Sequence, residues 1–181
     1  MDRTNIIIAG SGGQGALRVG QTIAYAGLDE GKEVSWLPSY GPEMRGGTAN
    51  CSVIVSNDEI PYPIVSEPDC CIVMNAPSLK KFEGMVRKGG MIILNESMIP
   101  QKVCRENIDS YYVPADAIAE EEGNKKGANM VLLGAYLALS AIVSIDSVYD
   151  VVEKSFAGAK EKYIESNKKL IKRGYDYIHE K

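Results

Sequence analysis

The sequence predicts an α/β fold: an open, mostly parallel, Rossmann-like sheet with one β-hairpin, helices on both faces and a long C-terminal helix. Three observations carry this. Apolar, strand-like runs such as "NIIIAG" (5–10), "DCCIVMN" (69–75) and "GMIILN" (90–95) alternate with segments of helical periodicity. A glycine-rich turn, "GSGGQG" (10–15), joins the first run to the first helical segment. From residue 117 onward the pattern is almost wholly helical and closes on a stripe of Tyr163, Asn167, Leu170, Ile171, Gly174 and Ile178.

The elements follow in order. Residues 5–10 form a continuous β-branched run, as expected of a strand buried on both faces. A helix over 14–30 places Ala16, Gly20, Ile23, Ala24 and Gly27 on one stripe, whose small residues imply close approach to the sheet. Gly31 ends it, and "EVSWLP" (33–38) is the second strand. In "NCSVIVSN" (50–57), alternation sets Cys51, Val53 and Val55 on one face. A turn at Asn57-Asp58 then leads into "EIPYPIV" (59–65), read as the return arm of the hairpin. Strands over 69–75 and 90–95 flank a helix over 77–87 that starts on Pro77, where a first-turn proline belongs. "SYYVPAD" (110–116) is the last strand. Helices over 117–122, 129–143, 145–154 and 158–179 complete the chain, with Asn129 as the expected N-cap of the second.

Composition narrows the functional classes. At 181 residues the chain is expected to form one domain over 1–181, large enough to bury about 70% of its unfolded surface. A net charge of -4 argues against nucleic-acid or anionic-membrane partners, which need a basic face. Lys168, Lys169, Lys172 and Arg173 do cluster, but Glu161 and Glu165 share their segment, so a solvated helix face is expected. The longest apolar stretch (130–143) would reach about 21 Å as a helix, short of the roughly 30 Å of a bilayer core. With no signal-peptide pattern at the start, a cytoplasmic location is expected. Cys51, Cys70 and Cys71 lie in strand-like runs and Cys104 stands apart, without any C-x-x-C pair. Reduced thiols are expected rather than a zinc or iron-sulfur site.

The glycine loop has definite physical content. Gly10, Ser11, Gly12, Gly13, Gln14 and Gly15 give the G-x-G-x-x-G spacing after a strand and before a helix, where free N–H groups and the positive helix end favour an anion. A dinucleotide site would also require an acid at the end of the second strand, to bind ribose hydroxyls. Residues 34–39 offer none, which leaves Arg45 as the one candidate contact for a 2'-phosphate and makes phosphate binding and a turn used for packing the leading readings over an NAD(P) site. A stand-alone nucleotide-binding or regulatory protein and an assembly subunit without ligand stand as the alternative functions. The single histidine, His179, stands two residues from the end, and no metallopeptidase, P-loop or nucleophile-elbow motif occurs. A self-sufficient active site is therefore not expected.

Taken with the glycine loop, "LPSYGPEMRGGTANCSVIVS", "EPDCCIVMNAPSLKKFE", "GGMIILNESMI", "VPADAIAEEEGNKKGANMVLLGAY" and "ESNKKLIKRGYDY" resemble, in the same order, the gamma subunit of the 2-oxoacid:ferredoxin oxidoreductases, of the 2-oxoglutarate or 2-oxoisovalerate type. The pairing of GxGGQG with SYGPEMRGG is far more specific than a lone GxGxxG.

The resemblance implies one subunit of an oxidoreductase that decarboxylates a 2-oxoacid, with 2-oxoglutarate favoured, to an acyl-CoA and CO2 while passing electrons to ferredoxin. Thiamine diphosphate, Mg and iron-sulfur clusters would reside in partner subunits, namely alpha, beta and a ferredoxin-like delta chain, leaving no cofactor and no catalytic residue here. The glycine loop would receive a phosphate of CoA or another anion. Ser39, Tyr40, Glu43, Met44 and Arg45 would form a loop docking beside the active site, with an internal Glu43–Arg45 brace as the alternative. The isolated chain is expected to be colourless and inactive, and able to pair with itself through surfaces meant for partners.

Overall fold

The computed structural model describes residues 3–40 and 48–180. The strands are β1 (Arg3–Ser11), β2 (Glu33–Tyr40), β3 (Thr48–Ser56), β4 (Cys70–Val73), β5 (Met91–Asn95) and β6 (Asp109–Val113). The helices are α1 (Ala16–Asp29), α2 (Ala76–Phe82), α3 (Ala115–Glu121), α4 (Ala128–Leu139), α5 (Ile145–Phe156) and α6 (Ile164–His179). One six-stranded sheet runs in the order β2-β3-β1-β4-β5-β6. β1, β4, β5 and β6 are parallel, whereas β3 is antiparallel to both β1 and β2.

The hairpin is thus β2 with β3, in a register from Glu33↔Ser56 to Tyr40↔Ala49. The expected return arm at 59–65 is not a strand. Pro61 and Pro63 remove two ladder donors from that stretch, and it packs instead through Ile60 and Val65 against the α2 face of the sheet.

Alternation along each strand divides the core. Ile6 and Ile8 of β1, Cys51, Val53 and Val55 of β3, and Cys70 and Ile72 of β4 face the layer formed by α1 and α3 to α6. Ile7, Ala9, Cys71, Val73, Ile92 and Leu94 face α2, with Leu79 and Phe82, and the loops beside it. Helices α1 and α2 therefore leave the adjacent strands β1 and β4 toward opposite faces, which opens a crevice between their C-terminal ends.

The small residues of α1 let it lie close on the sheet: a Cβ at Gly20 would run into the Cys51 sulfur, and one at Gly27 would stand 3.0 Å from Val34 and Val55. α4 is apolar nearly all round because it is covered by the sheet on one side and α6 on the other. Its N-cap is Gly127, not Asn129; Asn129 lies inside the first turn, buried against Gly15. The expected long final helix begins as a 3-10 segment, Gly158–Tyr163, entered through a left-handed Gly158, and only α6 carries the buried stripe Asn167, Leu170, Ile171 and Gly174. The basic residues of α6 are solvated and ion-paired, Lys169 and Arg173 to Glu122 and Lys168 to Glu153. Among the described residues no helix is long and apolar enough to cross a membrane.

Candidate functional site

The C-terminal ends of β1, β4, β5 and β6 lie along one edge of the sheet, as the parallel pairings Ala9↔Val73, Val73↔Leu94 and Asn95↔Val113 require. Antiparallel pairing brings the start of β3 to the same edge, with Thr48 opposite Ser11. The glycine loop and the two described ends that flank residues 41–47, Tyr40 and Thr48, thereby lie at the same end of the sheet. Ser39 is exposed and Tyr40 ends β2 there; Glu43, Met44 and Arg45 lie outside the described residues.

The glycine loop is held by its own polar side chains. Gln14 folds back so that its Oε1 accepts from the Ser11 N–H at 2.7 Å while its Nε2 donates to the Met74 carbonyl at 3.2 Å. Asn75 Nδ2 donates to Ser11 Oγ at 2.6 Å and lies 3.1 Å from Gln14 Oε1, and Asn75 Oδ1 accepts from the Ser78 N–H to cap α2. One asparagine thus ties the β1–α1 loop to the β4–α2 turn across the crevice. The polar groups of Ser11 and Gln14 are largely spent on this brace. Gly12 and Gly13 are exposed, and their N–H groups make no hydrogen bond among the described residues. Gly13 and Gly15 adopt φ of 96° and 82°, and Gly15, with no room for a Cβ against Asn129, is the N-cap of α1. The first turn of α1 carries no acid to compete for an incoming anion.

Beside the loop is a cleft of about 270 Å³. Gly13 and Gln14 form one side, and Met74 and Leu132 supply apolar walls. Asn95, at the end of β5, and Asp116, in the first turn of α3, form the polar part; Lys125 and Lys126 stand at the rim. The sequence offered a signal for these residues in their position after parallel strands, where α/β ligands bind, but nothing in it marked which strand ends share a cavity. Of the residues lining the cleft, Gly13, Gln14 and Asn129 stand out in the sequence, Asn129 as a cap that it does not form.

The cysteines lie elsewhere. Cys51, Cys70 and Cys71 are buried in the sheet, where burial pushes the thiols of Cys51 and Cys71 up to about 12 and that of Cys70 well above the usual thiol range. Cys70 and Cys71 point to opposite faces, and Cys104 is exposed and far along the chain, so this set does not fit an iron-sulfur cluster. Among the described residues no group of three or more histidine, cysteine or acidic side chains is placed to hold a metal ion.

Known proteins carry the same architecture. The family model for pyruvate ferredoxin/flavodoxin oxidoreductase matches residues 5–177. The ketoisovalerate oxidoreductase subunit VorA of Methanothermobacter marburgensis is 42% identical over 172 residues, covering 94% of this chain and 35% of the relative, so the chain spans about a third of that protein. The 2-oxoglutarate synthase subunit KorC of the same organism is 33% identical, with 95% of this chain and 98% of the relative covered. The keto/oxoacid ferredoxin oxidoreductase gamma subunit from Geobacter sulfurreducens superposes with a TM-score of 0.84 at 25% identity, covering 98% and 99% of the two chains. The 2-oxoglutarate:ferredoxin oxidoreductase from Magnetococcus marinus, solved with 2-oxoglutarate, coenzyme A and succinyl-CoA bound, shares the fold at a TM-score of 0.91 and 22% identity over 32% of its chain. With a family match running from the first strand to the last helix, the chain belongs to the pyruvate ferredoxin/flavodoxin oxidoreductase family.

Proposed function

We propose that this chain is the gamma subunit of a 2-oxoacid:ferredoxin oxidoreductase, and that it presents coenzyme A to a thiamine-bearing catalytic subunit. The observation that carries the reading is end-to-end correspondence with a protein named as a gamma subunit, 98% of one chain on 99% of the other. The cofactor chemistry is assigned to partners: thiamine diphosphate and Mg to alpha and beta chains, iron-sulfur clusters to these and a ferredoxin-like delta chain, with ferredoxin as acceptor. Buried cysteines pointing to opposite sheet faces support placing the clusters outside this chain. In the assembled enzyme, coenzyme A supplies the thiol that takes the acyl group.

Within the chain, the exposed N–H groups of Gly12 and Gly13 and the acid-free start of α1 are the proposed seat of a coenzyme A phosphate, with Gln14 and Ser11 holding the loop in shape. The segment Ser39, Tyr40, Glu43, Met44 and Arg45 is the proposed docking loop, supported by the position of its flanks at the same sheet edge. On identity, a branched 2-oxoacid such as ketoisovalerate takes precedence over the 2-oxoglutarate favoured by the sequence reading. The proposed setting remains cytoplasmic, with the chain as one domain.

Purification of the tagged chain from its native host tests the assignment. Brown, thiamine-containing partners that reduce ferredoxin with ketoisovalerate and coenzyme A are expected; a chain that purifies alone and colourless would overturn it. In that complex Gly12→Val is expected to weaken coenzyme A binding, and unchanged affinity would remove the glycine loop from the site. Arg45→Ala is expected to reduce recovery of partner subunits or turnover, and an unaltered enzyme would return Arg45 to an internal brace.

A further inference from the structure

The α2 face of the sheet is covered unevenly. Strands β1, β4 and β5 bury their residues there under α2, but β3 adds only Ile54 to that cluster and β2 adds nothing. The register Leu37↔Ser52↔Ile7 turns Leu37 toward this face, and it is exposed. The segment after β3 covers part of the gap. Ile60 and Val65 anchor it in the cluster that holds Ile54, and between these anchors Pro61, Tyr62, Pro63 and Ile64 all stand in solvent. Tyr62 is 62% exposed and Ile64 55%. Of the seven large apolar side chains exposed among the described residues, three thus belong to this one face.

Prolines flank Tyr62 on both sides. Each fixes its own φ and pushes the residue before it toward extended backbone, so Ile60 and Tyr62 are restricted as well. Held at both ends, the tyrosine and isoleucine have little backbone freedom left to lose on binding, which is the property of a preorganised anchor. The charge around them has one sign. No lysine or arginine occurs from 46 to 79, and Asp58, Glu59 and Glu67 are exposed and make no ion pair among the described residues. At this end of the sheet Arg3 donates to Asn5, and Arg87 is paired with Asp69. An apolar centre with an acidic rim is complementary to an apolar pocket with a basic rim. A second copy of this chain does not fit, because a two-fold interface would set the same carboxylates against each other.

We infer that this face, centred on Tyr62 and Ile64, docks on an apolar, basic-rimmed pocket of the catalytic subunit in the complex proposed above. The inference rests on that reading for the identity of the partner. Continuity with the proposed docking loop selects the catalytic subunit: Leu37 and Ser39 share one side of β2, and the strand runs on to Tyr40, where that loop begins. The pocket takes the Tyr62 ring and the Ile64 side chain, while its lysines or arginines meet Asp58, Glu59 and Glu67 at the rim.

Photo-crosslinking in the native host tests it, with the photoreactive aromatic p-benzoylphenylalanine in place of Tyr62 in the tagged chain. Tyr62 is exposed, so the probe does not disturb the core. A crosslink to the thiamine-binding subunit is expected. A crosslink between two copies of this chain, one to any other protein, or none at all while the catalytic subunit co-purifies would overturn the inference and leave the gamma-subunit reading standing. A chain that purifies without partners would overturn that reading, and this inference with it. Tyr62→Ala combined with Ile64→Ala is expected to lower recovery of the catalytic subunit by about 10- to 30-fold, as for truncated anchors at the centre of an interface. Glu59→Lys combined with Glu67→Lys is expected to lower it by about fivefold at low salt and by less at high salt, where rim charges are screened. Recovery unchanged by either pair, or raised by the second, would overturn the inference.

Discussion

Gly134 on α4 and Gly174 on α6 form a reciprocal backbone contact. A Cβ on Gly134 would overlap the carbonyl of Ile171, and one on Gly174 would overlap the carbonyl of Val131. The two helices thus touch main chain to main chain, which two glycines four positions beyond Met130 and Leu170 make possible. This contact brings the inner stripe of α6 onto α4 and so fixes the start of α4, where the cleft is built.

Gly134→Ala and Gly174→Ala are each expected to lower stability by about 1–3 kcal/mol, because rigid carbonyls rather than side-chain tips must yield, and the gain in helix propensity of about 1 kcal/mol offsets only part. Urea titration measures this. The double variant should cost less than the sum by at least about 0.5 kcal/mol, since one displacement of α6 relieves both overlaps.

The glycines of the loop are separable by the same reasoning. Gly13 has a φ of 96° but open space around it, so Gly13→Ala is expected to cost only the left-handed penalty of about 1–2 kcal/mol. Gly15→Ala adds to a φ of 82° an overlap with the Asn129 amide and is expected to cost at least about 1 kcal/mol more. Asn129→Ser in the Gly15→Ala background should recover part of that difference in thermal unfolding; no recovery would show that backbone conformation alone sets the requirement at Gly15.

The strands and helices were legible because their periodicities are strong: Cys51, Val53 and Val55 share the face that alternation assigns, and the α1 stripe is buried throughout. The strand order was not, because period alone does not say that β3 inserts between β1 and β2. That insertion also explains the missing ribose acid. The end of β2 is a full strand away from β1, so an acid there would not face the crevice where a dinucleotide sits. The brace by Gln14 and Asn75 joins residues 61 apart, and Asn95 meets Asp116 across 21, distances over which no local pattern acts.

Thiol chemistry offers an independent check of the core. Cys104 is exposed, whereas Cys51, Cys70 and Cys71 are buried and held protonated at neutral pH by that burial. A disulfide reagent at pH 8 is expected to modify one thiol per chain rapidly in the native protein and four in denaturant. Rapid reaction of two or more native thiols would mean that the sheet opens on the reagent's timescale. Cys104→Ser should abolish the rapid phase without changing stability by more than about 0.5 kcal/mol, as for an exposed position.

Acid sensitivity should be traceable in part to Glu30, at the C-terminal end of α1. Partial burial pushes its carboxyl up, but the Lys32 ammonium at 2.8 Å, the Ser144 N–H at 2.6 Å and the hydroxyls of Ser147 and Ser144 outweigh this and hold it down at about 2. Lys32 in turn donates to the Ile142 carbonyl, so the trio staples α1 to the turn before α5. A carboxyl depressed in the folded chain contributes stability that is present above its ordinary value of 4.5 and is lost as pH falls through about 2. Glu30→Gln is therefore expected to be less stable than the native chain by about 1–2 kcal/mol at pH 7, the worth of a charge-assisted hydrogen bond. The gap should narrow between pH 4.5 and pH 2, where protonation gives the native residue the same neutral character. Denaturant midpoints of the two proteins across that range measure the effect; parallel curves down to pH 2 would show that Glu30 does not hold the staple through its charge.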